Sequence, residues 1–369
     1  MSKAAELAAL IGSQTAQGNR NLIINGAMQV AQRGTSASVS NSVAYLTLDR
    51  WQYSYGHNSS NAYSTWTMSQ DSDAPAGFSN STKFICTTAA SAPSTLTATL
   101  FQQKFEGQNL QQIQFAKTDA KTLTASFYIK SNKTGNIGVQ LFAEDDSTLN
   151  SQLVLINSAN TWEFKTVTFS SKTSGTEIPN DNTSGLRIRF VFEYNTGRAF
   201  GTADTWAAKQ TNSQLVPAGT SARVSTANDT FFITGVQLEI GDVATAFEHE
   251  DFGTTLAKCQ RYLYRHCEGN NVTISNANAY ASNMVFGTIH FPTSMRTNSY
   301  SLSYPVGTNY YRFYRASANT DFNDWTAFND RTENACTIYK SSLSGFTAGH
   351  AGWLVTSNAS AYIEFDAEL

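Results

Sequence analysis

The sequence predicts an all-β protein: a jelly-roll β-sandwich followed by a second, smaller β-sandwich, with a short helix at the N-terminus and another between the two domains. Three observations predict this fold. Many segments alternate apolar and polar residues, the period of half-buried strands. They are separated by turns rich in Asn, Gly and Ser, which is typical of antiparallel sheets packed face to face. Charged residues make up 14% of the 369 residues and aromatic residues 12%, a balance that favours a β-rich surface protein.

Three segments are predicted along the chain. Residues 1–20 form an N-terminal helix and attachment segment, because residues 3–11 carry an apolar stripe at helical spacing. A helix this short is marginal in water without a partner, so it is an association helix of an oligomer, a peg that docks into another protein, or a frayed terminus. Residues 21–250 form the jelly roll, and residues 251–369 form a short helix and the C-terminal sandwich.

The strands of the first domain follow one another with little helix between them. The clearest is Leu123–Lys130, in which Leu123 and alternate residues up to Ile129 face inward. In residues 185–192 the apolar side chains face one way, while Arg187 and Arg189 face the other. Further strands are predicted at residues 22–24, 28–30, 45–48, 51–55, 62–68, 83–87, 137–142, 162–169 and 231–240.

A turn at Gly241-Asp242 ends the last strand of the first domain, and a short helix follows Asp251. Thr254 or Thr255 is available as its N-cap, since a threonine hydroxyl accepts a hydrogen bond from the free amides of a first turn. The second domain then continues as strands, predicted at residues 283–291, 299–304, 310–315, 335–340, 352–355 and 360–367.

Composition excludes several kinds of partner. The formal net charge is −3 and no polybasic run is present, which argues against nucleic-acid binding. The N-terminal apolar run is too short to span a membrane, and Glu6 interrupts any signal-peptide core. The four cysteines are scattered and form no Cys-x-x-Cys pair, so we expect buried thiols. We therefore predict assembly in a reducing cytoplasm, no membrane insertion, no metal and no cofactor.

Seven stretches of the sequence carry a family resemblance: Asn21–Gly34, Asp49–Trp51, Gly235–Gly241, Ala246–His249, Cys259–Tyr262, Phe291–Arg296 and Ile363–Leu369. They resemble a recurrent segment of bacteriophage tail-fibre and other virion surface proteins, and they occur in that family's order. The resemblance implies a virion protein of the phage tail or particle surface, assembled in the host cytoplasm. It implies a homotrimer attached to another virion protein through residues 1–20.

The order of strands in the first domain also resembles that of jelly-roll carbohydrate-binding modules, which implies glycan binding. Modules of this kind usually hold a structural calcium with acidic residues near their first and last strands. Here Gln29 and Thr234-Gly235 stand at those positions, so the resemblance does not extend to the metal.

Catalysis is not predicted. Glycoside hydrolysis needs two carboxylates that flank the scissile bond, and the acidic clusters at residues 144–146 and 248–251 are the candidates. The first cluster is expected at a hairpin tip, and the second is expected to cap the helix that follows it. The sequence also lacks a Gly-x-Ser-x-Gly elbow, a Walker loop and a His-Glu-x-x-His motif.

Aromatic residues among polar residues are the remaining candidates for a site. A pyranose stacks its C–H face on Trp or Tyr, while its hydroxyls bond to amide, carboxylate and guanidinium groups. For each candidate the alternative is burial in the core or between subunits. The candidate glycan-binding residues are Tyr53, Tyr55, Tyr63, Trp66, Trp206, Tyr311 and Arg312.

The sequence therefore predicts a trimeric tail fibre or receptor-binding protein that attaches to a host-surface glycan. One alternative is a head or tail decoration or connector protein whose aromatic surfaces contact other viral subunits. The other is a glycan depolymerase or esterase. Exposed aromatic loops favour receptor binding, aromatics buried between chains favour a structural role, and a cleft with paired carboxylates favours hydrolysis.

Overall fold

A computed structural model describes residues 20–56, 63–209, 215–315 and 318–369. They divide into two units, the first ending at Thr255 and including Leu369, the second spanning Leu256–Glu368. The predicted N-terminal helix lies outside the described residues. Within the described ranges, no helix is long and apolar enough to cross a membrane.

The first unit is a jelly-roll β-sandwich, as the sequence predicts. Its strands are β1 (Ser36–Val39), β2 (Ala44–Tyr45), β3 (Gln52–Gly56), β4 (Thr65–Asp71), β5 (Ser81–Thr88), β6 (Ala98–Glu106), β7 (Leu123–Ser131), β8 (Gly135–Ala143), β9 (Thr148–Ile156), β10 (Glu163–Phe169), β11 (Ser184–Tyr194), β12 (Ala207–Ala208) and β13 (Thr230–Ile240). One sheet has the order β1-β4-β5-β13-β7-β10 and the other the order β12-β9-β8-β11-β6-β3-β2. Short 3₁₀ turns span Gly107–Asn109, Gln111–Ile113 and Thr196–Arg198.

Alternation along the strands determines which side chains form the core of this sandwich. The predicted inward residues of β7 are buried, and Phe127 packs edge to face on Phe190 of the opposite sheet, with ring centroids 4.9 Å apart. Trp51 stacks on Phe101 at 4.5 Å. Since side chains alternate along a strand, the residues next to Phe101 and Phe190 point away from the core.

The segment before β1 is joined to β13 by hydrogen bonds. The side-chain oxygen of Asn21 accepts the Leu238 amide at 3.0 Å, and the Leu22 amide donates to the Leu238 carbonyl at 2.8 Å. The Val236 amide donates to the Gly26 carbonyl at 3.0 Å. Two stretches that carry the phage resemblance, more than 200 residues apart, therefore form one structural contact.

Other residues of these stretches also have structural partners. Trp51 of the Asp-Arg-Trp stretch donates its ring N–H to the Asn25 carbonyl at 3.1 Å. The side-chain oxygen of Gln237 accepts the Glu248 amide at 2.8 Å, which holds the loop after β13 against the sheet. The described contacts thus account for these residues as stabilising elements of the jelly roll.

The interdomain helix α1 spans Phe252–Gln260. Its N-cap is Asp251, whose carboxylate accepts the Thr254 amide at 2.9 Å and the Thr254 hydroxyl at 2.6 Å. The predicted cap at Thr254 or Thr255 is therefore wrong. The helix begins earlier because a carboxylate pairs more strongly than a hydroxyl with the partial positive charge of a first turn.

The second unit is a smaller β-sandwich. Its strands are β14 (Leu263–Glu268), β15 (Thr273–Ala281), β16 (Met284–His290), β17 (Ser301–Ser303), β18 (Tyr311–Arg315), β19 (Ala318–Phe322), β20 (Ala327–Asn329), β21 (Ala335–Lys340), β22 (Ala351–Thr356) and β23 (Tyr362–Asp366). They form a sheet β14-β23-β17 and a sheet β19-β18-β22-β15-β16-β21-β20. Phe365 packs edge to face on Phe291 at 4.9 Å inside its core.

All four cysteines of the chain are buried, as predicted.

Candidate functional site

The outer face of the seven-stranded sheet in the first unit bears a cavity of about 300 Å³. Because Phe101 and Phe190 point into the core, their neighbours Gln102 and Arg189 lie on this outer face. Polar side chains and a few apolar ones line the cavity. Its basic lining residues are Lys104, Arg187, Arg189, Arg198 and Lys209.

A row of hydrogen-bonded side chains crosses five strands; we call it the amide ladder. Three of its members, Gln52, Gln102 and Arg189, line the floor of the cavity, and the row continues beyond it through Gln140 and Ser151. Gln102 donates to the side-chain oxygen of Gln52 at 2.6 Å. Arg189 donates to the side-chain oxygens of Gln102 at 3.1 Å and Gln140 at 2.7 Å. Gln140 in turn donates to the Ser151 hydroxyl at 2.7 Å. The ladder fixes which way each glutamine amide points.

Strand register produces the amide ladder. Gln52 lies directly opposite Gln102, Gln102 opposite Arg189, Arg189 opposite Gln140, and Gln140 opposite Ser151. Directly opposite side chains on one face are close enough to interact. A shift of one residue in any of these pairings would move one member to the core face.

Three cations surround the Phe142 ring beside the ladder. The guanidinium carbons of Arg187 and Arg189 lie 5.1 Å and 4.8 Å from the ring centroid, and the Lys209 ammonium lies 5.1 Å from it. An aromatic face attracts cations at this range. The ring therefore helps to hold three like charges in one place.

Burial, and for two of the three groups the neighbouring arginine charge, lowers the pKa values of Arg187, Arg189 and Lys209. Burial lowers the pKa of Arg187 to about 10. Burial, and then the neighbouring charge of Arg187, lower the pKa of Arg189. The pKa of Lys209 is lowered by burial and by both arginines. Glu144 forms an ion pair with Arg187. The described residues that line the cavity include no Asp or Glu, so its lining is net positive.

One wall of the cavity comes from the loop after β11. Leu215 lines the cavity and packs with Leu100 and Val191 on the same face of the sheet. The Leu215 amide donates to the Arg198 carbonyl at 2.9 Å, which fixes the loop backbone. Loop and sheet together give the cavity its depth.

The structure places some of the predicted aromatic candidates at the cavity and others in the core. Tyr55 lines the cavity, and Tyr63 packs edge to face on it with ring centroids 6.3 Å apart. Tyr53 and Trp66 are 0% exposed in the core of the sandwich, where no glycan can reach them. The prediction of a glycan-binding role for Tyr53 and Trp66 is therefore wrong, because both side chains fall on the inward positions of their strands.

Trp206 lies outside the cavity lining and anchors its own loop. It donates its ring N–H to the Ser170 carbonyl at 2.7 Å and packs edge to face on Phe115 at 5.1 Å. It is half-buried, and its glycan-binding role stays a prediction.

Tyr311 and Arg312 belong to the second unit. Tyr311 is 0% exposed and donates its hydroxyl to the Pro305 carbonyl at 3.0 Å, so its predicted glycan-binding role is wrong. Arg312 lies on the outer face of β18 and donates to the Asp321 carboxylate and to the Tyr314 hydroxyl. These two hydrogen bonds, the one to Asp321 first, raise the pKa of Arg312. Its glycan-binding role stays a prediction.

Sequence reasoning missed most residues of the cavity. Arg187 and Arg189 did give a signal, since two arginines on the outward positions of an otherwise apolar strand need water or a partner. Gln52, Gln102 and Gln140 gave none, because a glutamine on the outer face of a strand is commonplace.

The acidic clusters have structural partners. In the first cluster Asp146 accepts the Thr148 hydroxyl at 2.6 Å and pairs with Lys172 at 3.2 Å. In the second, Glu248 accepts the Asn21 amide at 2.8 Å. Nowhere in the described part of the chain do three or more His, Cys, Asp or Glu side chains gather as metal ligands would.

A second surface lies on the outer face of the seven-stranded sheet of the second unit. Tyr314 stacks on Trp353 at 5.3 Å, and Phe286 stacks on Tyr339 at 5.1 Å. Tyr280 is 71% exposed and Trp353 is 47% exposed. We call these five residues the aromatic face.

Comparisons with known proteins give structural neighbours only. No family model matches the chain, and no curated protein matches it in sequence. One similar structure is the enzymatically active domain of tailspike protein 4 of bacteriophage CBA120, at 13% identity and a TM-score of 0.32, covering 60% of this chain and 22% of that one.

Two other similar structures are carbohydrate-binding modules. A family 61 module in complex with β-1,4-galactotriose has 10% identity and a TM-score of 0.28, covering 60% of this chain and all of that one. The family 11 module of a Clostridium thermocellum cellulosomal cellulase has 11% identity and a TM-score of 0.29, covering 60% of this chain and 96% of that one. These scores are low, and the fold is assigned above from the sheets of the chain itself.

Proposed function

We propose that the protein is a non-catalytic surface protein of a phage virion, a homotrimeric tail fibre or receptor-binding protein. It attaches to a host-surface glycan through the cavity on the first sandwich. The observation that carries this proposal is the cavity floor, where the amide ladder presents oriented polar groups beside Tyr55.

The chemistry of the cavity matches that of a sugar. Sugar hydroxyls both donate and accept, and glutamine amides and serine hydroxyls offer both functions. Tyr55 is half-buried against the core and also lines the cavity, so an aromatic side chain borders the polar groups. The volume of about 300 Å³ is at the lower end of the range for small-molecule sites, enough for a short stretch of a glycan.

The virion context is supported by the phage-like stretches of the sequence. In this context residues 1–20 attach the trimer to another virion protein. Three copies of one shallow site gain strength by avidity, so weak contacts with a single sugar chain suffice for adsorption. The role is binding rather than hydrolysis, because the two acidic clusters are engaged in helix capping, loop anchoring and ion pairs.

Filling the cavity is expected to abolish glycan binding. Ser54 lines the cavity from β3, so Ser54→Trp places a large ring over the floor while leaving the core untouched. The purified protein, fluorescently labelled, is applied to an array of lipopolysaccharide and capsular oligosaccharides from bacterial surfaces. We expect wild-type binding to selected glycans and at least a tenfold loss for Ser54→Trp.

The matched control is Ser69→Trp, which makes the same change on β4 of the other sheet. It is expected to bind like the wild type, and both variants should keep the wild-type circular dichroism spectrum. If the wild type binds no glycan on the array and does not adsorb to bacterial cells, the proposed function is refuted. Equal losses in the two variants would refute the assignment to the cavity.

The aromatic face supports a second candidate function, a structural role in the particle. Large exposed aromatic groups are common at protein interfaces, and Trp353 and Tyr280 are exposed together on one sheet. If this face joins subunits, we expect Trp353→Ser to convert the oligomer to a monomer. Light scattering would then give the mass of a single chain. Glycan binding per chain should be unchanged. An unchanged mass would exclude this role for the face.

A further inference from the structure

The cavity gathers positive charge that the described contacts balance only in part. Five basic side chains line it, and the described lining residues include no carboxylate. Glu144 pairs with Arg187 from outside the lining. Arg189 is held by the side-chain oxygens of two neutral glutamines, at 3.1 Å and 2.7 Å. Lys104 donates to the Leu369 oxygen at 2.5 Å. Arg189 and Lys209 form no ion pair with a carboxylate among the described residues, so their charges remain to be balanced.

This arrangement is unfavourable for an empty site. Three cations lie within 5.1 Å of the centroid of the Phe142 ring, so they repel one another at close range. The lowered pKa values of Arg189 and Lys209 reflect burial and this repulsion. A neutral sugar would leave the repulsion in place, whereas an anionic group would relieve it.

We infer that the glycan bound in this cavity is acidic, and that its anionic group is held by Arg189 and Lys209 with a share of Arg187. The inference rests on the proposed function and specifies the ligand class of the same site. The Nε and Nη1 of Arg189 donate to the two glutamine oxygens, which leaves Nη2 to donate to an anion. A charged guanidinium N–H forms strong hydrogen bonds with the oxygens of a carboxylate or a phosphate. The amide ladder then binds the neutral hydroxyls next to the anionic group.

Arg189 and Lys209 have different roles in the site, because one is held by the sheet and the other is exposed. The buried amide ladder fixes Arg189 in place, so changing Arg189 would also disturb the sheet. Lys209 is exposed and is not part of the amide ladder. Its ammonium lies 5.1 Å from the centroid of the Phe142 ring. Lys209 is therefore the position where charge can be altered without altering the fold.

The test measures binding of three matched probes by isothermal titration: oligogalacturonate, a phosphorylated oligosaccharide, and neutral β-1,4-galacto-oligosaccharide. We expect at least tenfold tighter binding of one of the two acidic probes than of the neutral one. Lys209→Gln should reduce that binding about tenfold, Lys209→Glu should reduce it further, and Lys209→Arg should retain it. In Lys209→Gln and Lys209→Glu, binding of the neutral probe should fall by a smaller factor than binding of the acidic probe.

Lys121→Gln is the control, since it removes one exposed lysine outside the cavity lining. It is expected to leave every affinity unchanged. A short single-stranded DNA of the same charge serves as a further control and should bind no better than the neutral sugar. Which acidic probe binds distinguishes a carboxylate from a phosphate ligand.

Three outcomes would overturn the inference while leaving glycan binding intact. The first is equal affinity for neutral and acidic sugars. The second is an acidic preference that Lys209→Glu does not weaken. Binding to DNA as tight as to the acidic sugar would also overturn it, because the cavity would then recognise charge alone. Failure of the array experiment, in contrast, would remove the proposed function itself.

Discussion

Gly26→Ala is expected to destabilise the first unit by about 3 kcal/mol, through overpacking of backbone against backbone. A Cβ at Gly26 would lie 2.1 Å from the Val236 carbonyl oxygen. The neighbouring chain cannot move away easily, because the Val236 amide is bonded to the Gly26 carbonyl at 3.0 Å. The measurement is the free energy of unfolding in urea, followed by circular dichroism.

Gly253→Ala is the control for this prediction. Gly253 lies in the first turn of α1, and its Cβ would meet only the Asp251 side chain, at 3.2 Å. Alanine favours a helix over glycine by about 1 kcal/mol, so this variant should be neutral or slightly more stable. If the two variants unfold at the same urea concentration, the contact between the N-terminal segment and β13 is not tight.

Trp66→Ala is expected to lower the free energy of unfolding by about 3–5 kcal/mol, the usual loss for removing a large aromatic from a core. Trp66 is 0% exposed and packs on Phe192 and Phe231, with ring centroids 5.7 Å and 6.0 Å away. The measurement is again urea unfolding. The fraction of the variant that remains folded should bind glycans with wild-type affinity, because the ring does not reach the surface.

Phe164→Ala provides the comparison at the surface of the same unit. Phe164 is 50% exposed and packs on Tyr128 with ring centroids 5.0 Å apart, so its removal should lower the free energy of unfolding by about 1 kcal/mol, well below the loss for Trp66→Ala. A stable Trp66→Ala variant that has lost glycan binding would contradict the placement of Trp66 in the core and restore it as a ligand contact.

Much of the fold could be predicted because it depends on the period of two along each strand. The inward positions of β7 and the outward positions of Arg187 and Arg189 were evident from alternation alone. The interdomain helix was evident from helical spacing, although its cap was placed three or four residues too late. Local patterns of this kind are carried by neighbouring residues, so they appear directly in the sequence.

The site was harder to predict because aromatic residues on strands serve cores more often than ligands. Tyr53, Trp66 and Tyr311 stand among polar residues in the sequence, yet each falls on the inward side of its strand. Tyr55 falls on the same side of β3 as Tyr53 and packs partly against the core, yet it also lines the cavity. Neither the burial of Tyr53, Trp66 and Tyr311 nor the position of Tyr55 at the cavity follows from composition. Burial of a side chain depends on which sheet packs over its strand.

The sequence alone accounts for the all-β class, the alternation of inward and outward residues, and the conspicuous pair Arg187 and Arg189. The amide ladder depends on the order β9-β8-β11-β6-β3, which brings together strands up to about 100 residues apart in the chain. Pairing between distant strands is fixed by the packing of the whole sandwich, because only that packing sets the register. The cavity, its oriented glutamines and its concentrated positive charge are consequences of that register.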